Sequence, residues 1–215
     1  MAAVVLLAWG TAAAATVRNL QPAVDRSEPT TVSSPARPGS ASVRIDGRGG
    51  GGFDVGSGVA IGRRAVVTNA HVVDDPVTFV TGRDGGVLST GRIERADGLD
   101  LAVVVTNGPD LTPIPLAPED PQPGEAVTMV GYPWGQQTIT AGRVEGTLVR
   151  GGSTVLRFSP EPHPGQSGSP LIDSKGRLVG IAFADETTGD QGLAIPVSEV
   201  RAALEAWRAH GIPVG

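Results

Sequence analysis

The 215-residue sequence contains no cysteine, which excludes disulfides, thiolate metal sites and a cysteine nucleophile together. Aromatic residues make up only 4% of the chain, and Lys175 is the only lysine, so positive charge is carried almost wholly by arginine. The formal net charge of -5 leaves no basic footprint for nucleic acid. Neither metal-ligand spacing nor a cofactor motif is present, so no metal and no cofactor is expected. A transmembrane-length run is missing too. The uncharged stretch Ala2 to Val17 falls short of the roughly 20 residues a spanning helix needs.

That stretch suits the apolar core of a secretory signal or an N-terminal membrane anchor (residues 1–17), and Ala13-Ala14-Ala15 offers the small residues a signal peptidase prefers. A secreted or extracytoplasmic protein of bacterial type, with a possible membrane tether, is the expectation. Residues 18–42 carry scattered prolines among Ser, Thr, Arg and Asp and read as a disordered tether. Gly47 to Gly52 reads as a flexible loop.

What the chain has in abundance is turn chemistry, with 31 Gly and 18 Pro. Between those turns lie short β-type runs near Ser42–Asp46, Gly56–Ile61, Ala65–Thr68, Val77–Val80, Val87–Arg95 and Leu101–Val105. A second set lies near Ala126–Gly131, Gln137–Glu145, Thr154–Phe158, Pro170–Ile172, Leu178–Ala184 and Gly192–Ile195. The proline-dense segment 109–123 separates the two sets and reads as a surface linker. The pattern predicts an all-β chain of two small antiparallel barrels or sandwiches, about 43–108 and 124–196, within a folded region 43–210. One helix is expected over 197–210, capped by Ser198, with Val200, Leu204 and Trp207 on one face.

The chemistry gathers around Pro164-Gly165-Gln166-Ser167-Gly168-Ser169-Pro170, where a serine sits in a glycine-bounded loop just before a strand. A serine hydroxyl is a weak nucleophile and needs a base and an orienting carboxylate. His71, at the end of the apolar strand Val66-Val67-Thr68, is the candidate base. Asp100, leading into Leu101-Ala102-Val103, is the candidate carboxylate, expected to be partly buried and therefore partnered. Asp74-Asp75, Asp97 and Glu119-Asp120 read as solvated turns. His210 reads as a helix C-terminal residue favoured by the dipole.

The segments Thr68-Asn69-Ala70-His71-Val72-Val73, Asp100-Leu101-Ala102-Val103 and Pro164 to Leu171 resemble, in order, the three motifs of chymotrypsin-fold (trypsin-like) serine proteases. The likeness is closest to the bacterial HtrA/Deg branch, through TNxHVV at His71, Val130-Gly131-Tyr132-Pro133-Trp134-Gly135, and Gly192-Leu193-Ala194-Ile195-Pro196. It covers about Ala41 to Ala209. It implies two antiparallel six-stranded β-barrels with a C-terminal helix, and a serine endopeptidase acting on extended polypeptide through an acyl-enzyme. Ser167 would be the nucleophile, His71 the general base and acid, and Asp100 the orienting carboxylate. The N–H groups of Gly165 and Ser167 would form the oxyanion hole. The strand Ile181, Ala182, Phe183 and Ala184 would pair with the substrate.

The resemblance also places Glu161 where trypsin-like relatives carry the acid that binds basic side chains; His163, four residues before Ser167, reads either as a loop histidine in water or as a residue lining the specificity pocket. Three departures stand out. Gln166 replaces the acid that pairs with a freshly cut N-terminus in chymotrypsin itself, so that ion pair cannot order the loop. Ser169 replaces the usual second glycine. The HtrA branch usually appends a PDZ domain, whereas this sequence stops a few residues past its helix; a protease domain without PDZ behind a hydrophobic run is similar to membrane-tethered, MarP-type proteases of actinobacteria, though their cysteine pair is absent. The alternative from another class is a peptide-binding module of the same fold, latent until a partner or ligand orders the serine loop.

Overall fold

Strands β1 to β6 and β7 to β12 each close into an antiparallel barrel, in the orders β1-β2-β3-β6-β5-β4 and β10-β11-β12-β9-β8-β7. The computed structural model describes residues 39–49, 52–74, 77–183 and 191–214. The expected signal or anchor, most of the tether and Ala184 lie outside these residues. No helix among the described residues is long and apolar enough to cross a membrane.

The first barrel comprises β1 (Ser42–Gly49), β2 (Gly52–Gly62), β3 (Ala65–Thr68), β4 (Val77–Thr81), β5 (Val87–Arg95) and β6 (Ala102–Asn107). The second comprises β7 (Ala126–Gly131), β8 (Thr138–Arg150), β9 (Ser153–Ser159), β10 (Pro170–Ile172), β11 (Leu178–Phe183) and β12 (Gly192–Pro196). β8 alternates inward and outward residues along an exposed barrel wall, while β3, β10 and β12 are buried along their whole length. These are the period-2 and continuous-apolar signatures of half-covered and fully covered strands.

Val43, Ile45, Val66, Val80 and Val104 fill the first barrel, and Val127, Met129, Leu156, Phe158 and Leu171 the second. A third cluster joins the two barrels across their seam: Val59, Val67, Leu101 and Val103 meet Val130, Ile172, Ile181 and Ile195. The helix α1 (Val197–Ala209) adds Val200, Leu204 and Trp207 to that seam.

Several expectations need correction. The tether stops short of Ser42: Gly39 and Ala41 are buried and Ser42 opens β1. Most of the expected glycine loop is strand, because β1 runs to Gly49 and β2 starts at Gly52. Segment 109–123 is irregular, as its prolines demand, but it is a bonded strap rather than a loose linker. Ile114 N–H donates to Ala60 O at 2.9 Å in the first barrel, and Ala117 N–H to Leu178 O at 2.9 Å in the second.

Ser198 does not cap α1. The N-cap is Pro196, which makes no side-chain capping bond, and Ser198 lies inside the first turn. The cap comes from the strap: Asp120 Oδ1 accepts from Ser198 N–H at 2.9 Å and Oδ2 from its hydroxyl at 2.7 Å. A carboxylate on exposed helix N–H groups is the favourable end of the dipole. Asp120 is therefore a capping residue and not a solvated turn. His210 does sit at the C-cap, where its ring also bonds Glu94. Asp74 is exposed, as a solvated turn residue should be, and adds a surface ion pair with Arg95 at 3.0 Å.

Candidate active site

β3 ends at Thr68, and three residues later His71 opens a single 3-10 turn, His71–Val73. Asp100 lies at the turn before β6, the strand paired with β3 through Thr68↔Ala102, so the ladder register brings acid and imidazole together. Asp100 Oδ2 lies 2.7 Å from His71 Nδ1, and Oδ1 accepts from His71 N–H at 3.0 Å. Asn69 Nδ2–H donates to Asp100 O at 2.9 Å, fixing the carboxylate's own backbone. The side chains of His71 and Asp100 keep 48% and 38% of their exposure, so the carboxylate is more open than the sequence suggests. Its bond to the ring raises the His71 pKa above the ordinary imidazole value. Burial works the other way, and the charges of Asp100 and Asp74 add to the rise.

Ser167 comes from the second barrel. Its loop crosses the seam and is held from both sides. Ser57 N–H donates to Ser167 O at 2.8 Å from the first barrel, and Gly168 N–H to Ala182 O at 2.9 Å in the second. Both loop glycines are required. Gly168 has φ +86°, and a Cβ there would stand 1.9 Å from Ser57 O; Gly165 has φ +92°, and its Cβ would stand 2.7 Å from Tyr132 O.

What orders this loop is visible. Gln166 is 1% exposed, and its Oε1 accepts from His163 N–H at 2.7 Å, while Gln166 N–H donates back to His163 O at 2.9 Å. A neutral amide closes the turn where an ion pair would otherwise be needed. The Ser57 hydroxyl, fully buried, donates to Gly165 O at 2.7 Å and accepts from Tyr132 N–H at 2.9 Å. Thr68 Oγ1 in turn donates to Ser57 O at 2.6 Å. Ser169 is completely buried, and it fits because Gly131 faces it: a Cβ on Gly131 would meet Ser169 Oγ at 2.0 Å.

His71 and Ser167 open onto one cleft of about 320 Å³, shared with Asp54, Gly56, Asp74 and Gly165. Gly165 lines that cleft, and its N–H has no acceptor among the described residues. The expected substrate-binding residues divide. Glu161 is half-buried and His163 is exposed; His163 stacks on Trp134, ring centroids 5.4 Å apart. Neither lines the cleft with Ser167. Ile181 and Ala182 are unavailable for edge pairing. β11 is flanked by β10 and β12, and Ala182 spends its N–H and C=O on Ser169 O and Gly168 N–H. Of the expected strand, Phe183 is half-buried and Ala184 lies outside the described residues. Sequence reading missed Ser57 and the Gly131–Ser169 pairing. For Ser57, a polar residue between glycines in a buried strand was the available signal.

Two closed antiparallel barrels with a bonded His–Asp pair and a serine loop at their seam define the chymotrypsin-like class. The family model for the trypsin-like peptidase domain matches residues 56–181, and the chain belongs to that family. Its relatives are of the HtrA type. It is 31% identical over 171 residues to the mitochondrial Protease Do-like 4 of Arabidopsis thaliana, covering 73% of this chain and 33% of that protein. It is 29% identical over 178 residues to the serine protease Do-like HtrA of Bacillus subtilis, covering 73% of this chain and 40% of that protein. The chain thus spans well under half the length of these curated relatives. In fold it is similar to the active form of the Rv3671c protease from M. tuberculosis, with a TM-score of 0.73 and 24% identity over 83% of this chain and 82% of that one.

Proposed function

We propose that this chain is a serine endopeptidase that cleaves extended polypeptides through an acyl-enzyme on Ser167. The observation that carries the reading is the His71–Asp100 pair, bonded at 2.7 Å and 3.0 Å, opening onto the cleft that holds Ser167. His71 Nε2 takes the hydroxyl proton as Ser167 Oγ attacks the scissile carbonyl, then gives it to the departing amine. Water, deprotonated by the same imidazole, hydrolyses the acyl ester and regenerates the hydroxyl. Asp100 holds the tautomer and stabilises the imidazolium. The N–H groups of Gly165 and Ser167 receive the developing oxyanion. An extracytoplasmic setting is part of the proposal and is supported by the apolar N-terminal run.

The latent-module alternative requires a partner to order the serine loop. The bonds of Gln166 and Ser57 favour a loop ordered by the chain itself. Purified protein is therefore expected to take up one equivalent of a fluorophosphonate with no partner added, on the peptide that contains Ser167, as read by mass spectrometry. Labelling that appears only after a peptide ligand is added would replace the enzyme reading with the latent one.

Gln166 itself gives a second test. Leucine keeps the volume and removes the acceptor of the His163 N–H, freeing the turn that aims Gly165. Gln166→Leu is expected to lower kcat by on the order of 10²-fold, as for loss of one oxyanion donor, with a smaller change in KM. An unchanged kcat would show that the carboxamide does not position the loop.

A further inference from the structure

The cleft around Ser167 has a second chemical character that the triad does not use. In the reaction proposed above, on which this inference rests, the amine departs over His71, because His71 delivers its proton. The walls on that side come from the first barrel: Asp54 and Val55 at the start of β2, and Val72 and Asp74 in the turn that follows His71. The floor is apolar, with Val72 packed over Gly56 so tightly that a Cβ there would meet Val72 Cγ1 at 2.3 Å.

The rim is acidic. Asp54 is exposed and makes no ion pair or hydrogen bond among the described residues. Its cross-strand neighbour in β1 is Gly47, which offers no side chain to cover it. Asp74 is 68% exposed and pairs with Arg95 at 3.0 Å. Arg95 is itself tied to Val73 O at 2.9 Å. Asp74 closes the 3-10 turn that His71 opens and lines the cleft beside it. Asp54, Asp74 and Asp100 thus bring three carboxylates to this side of the cleft, with Arg95 paired to Asp74.

We propose that Asp54 and Asp74 form an acidic wall that selects arginine or lysine among the first two residues on the amine side of the scissile bond. Apolar floor and carboxylate rim match the aliphatic stem and cationic head of those side chains. Two exposed carboxylates in high dielectric support a preference of about tenfold in kcat/KM for arginine over glutamate at low salt, shrinking as ionic strength screens it.

The test uses quenched peptides that are identical on the acyl side and carry Arg, Lys, Ala or Glu at the first two amine-side positions. The wild-type ratio of kcat/KM, Arg over Glu, is expected to be about ten at low salt and to fall toward one near 1 M salt. Asp54→Lys is expected to bring the low-salt ratio to one or below, and Asp74→Asn to reduce it partly. A wild-type ratio near one, or a ratio that Asp54→Lys leaves intact, overturns the proposal. A fluorophosphonate carries no amine-side residue, so its labelling of Ser167 reports on the protease reading separately. Labelling without charge preference sinks the acidic wall alone; no labelling sinks both.

Discussion

Alanine in place of Ser167 is expected to lower kcat on an unstructured polypeptide by on the order of 10⁶-fold, with little change in thermal midpoint. The selectivity of that loss follows from how the residue is held. Its carbonyl accepts from Ser57 N–H at 2.8 Å, and its neighbours Gly168 and Ser169 bond to Ala182; all three contacts are made by backbone. Alanine preserves each of them and removes only Oγ. The oxyanion donors and the substrate cleft survive, so a residual rate of roughly 10³ to 10⁴ over water is expected. Steady-state kinetics beside a melting curve checks both halves. A loss below about a hundredfold would mean that another group attacks the carbonyl.

Asparagine at Asp100 is expected to cost about 10⁴-fold in kcat while leaving the barrel intact. The carboxylate accepts twice, from His71 N–H and from the ring Nδ1–H. An amide keeps one of these and turns a donor toward the other, which favours the tautomer whose Nε2 carries the proton and cannot act as base. The pH profile carries a second signature. Hydrogen bonding to Asp100 is the largest cause of the raised His71 pKa. His71 must be neutral to accept the serine proton, so the wild-type rate climbs with pH through a value above the ordinary imidazole value of about 6.5. The asparagine variant loses that cause, and its acid limb moves down. Stability has the opposite sign. The charged pair stabilises the fold fully below the unfolded imidazole pKa, and that contribution fades as pH rises through the raised folded value. Activity thus grows across the interval in which this stabilisation declines. Profiles of kcat/KM from about pH 5 to about pH 9 for both proteins check the shift; coincident limbs would detach Asp100 from the imidazole.

The parts of this molecule legible in the sequence are those whose causes are local. Alternation along β8 and the buried runs of β3, β10 and β12 place strands, because inward and outward faces differ in chemistry residue by residue. His71, Asp100 and Ser167 were legible as strand-end residues in a known order. What escaped depends on contacts between distant segments. Asp120 becomes a helix cap only when the strap brings it 78 residues across the sequence to Ser198. Ser169 becomes intelligible only beside Gly131, whose missing Cβ makes its space. Ile181 and Ala182 look like a substrate-pairing edge until the serine loop takes the Ala182 backbone. Gln166 was recognised as a loss of an ion pair, but its replacement bond to His163 needed the closed turn to appear.

Ser57 carries the broadest consequence. It belongs to the first barrel, yet its hydroxyl stands between Gly165 O and Tyr132 N–H of the second. The geometry of the serine loop, which would receive the oxyanion in the proposed reaction, is therefore not a property of either barrel. It works as a coincidence detector: only when both halves are folded and docked does the loop have its keystone. In the proposed reaction, a chain still being synthesised, with its first barrel complete and its second unfinished, would hold the imidazole without the Ser167 loop, so the order of the sequence itself would keep an unfinished chain from cleaving.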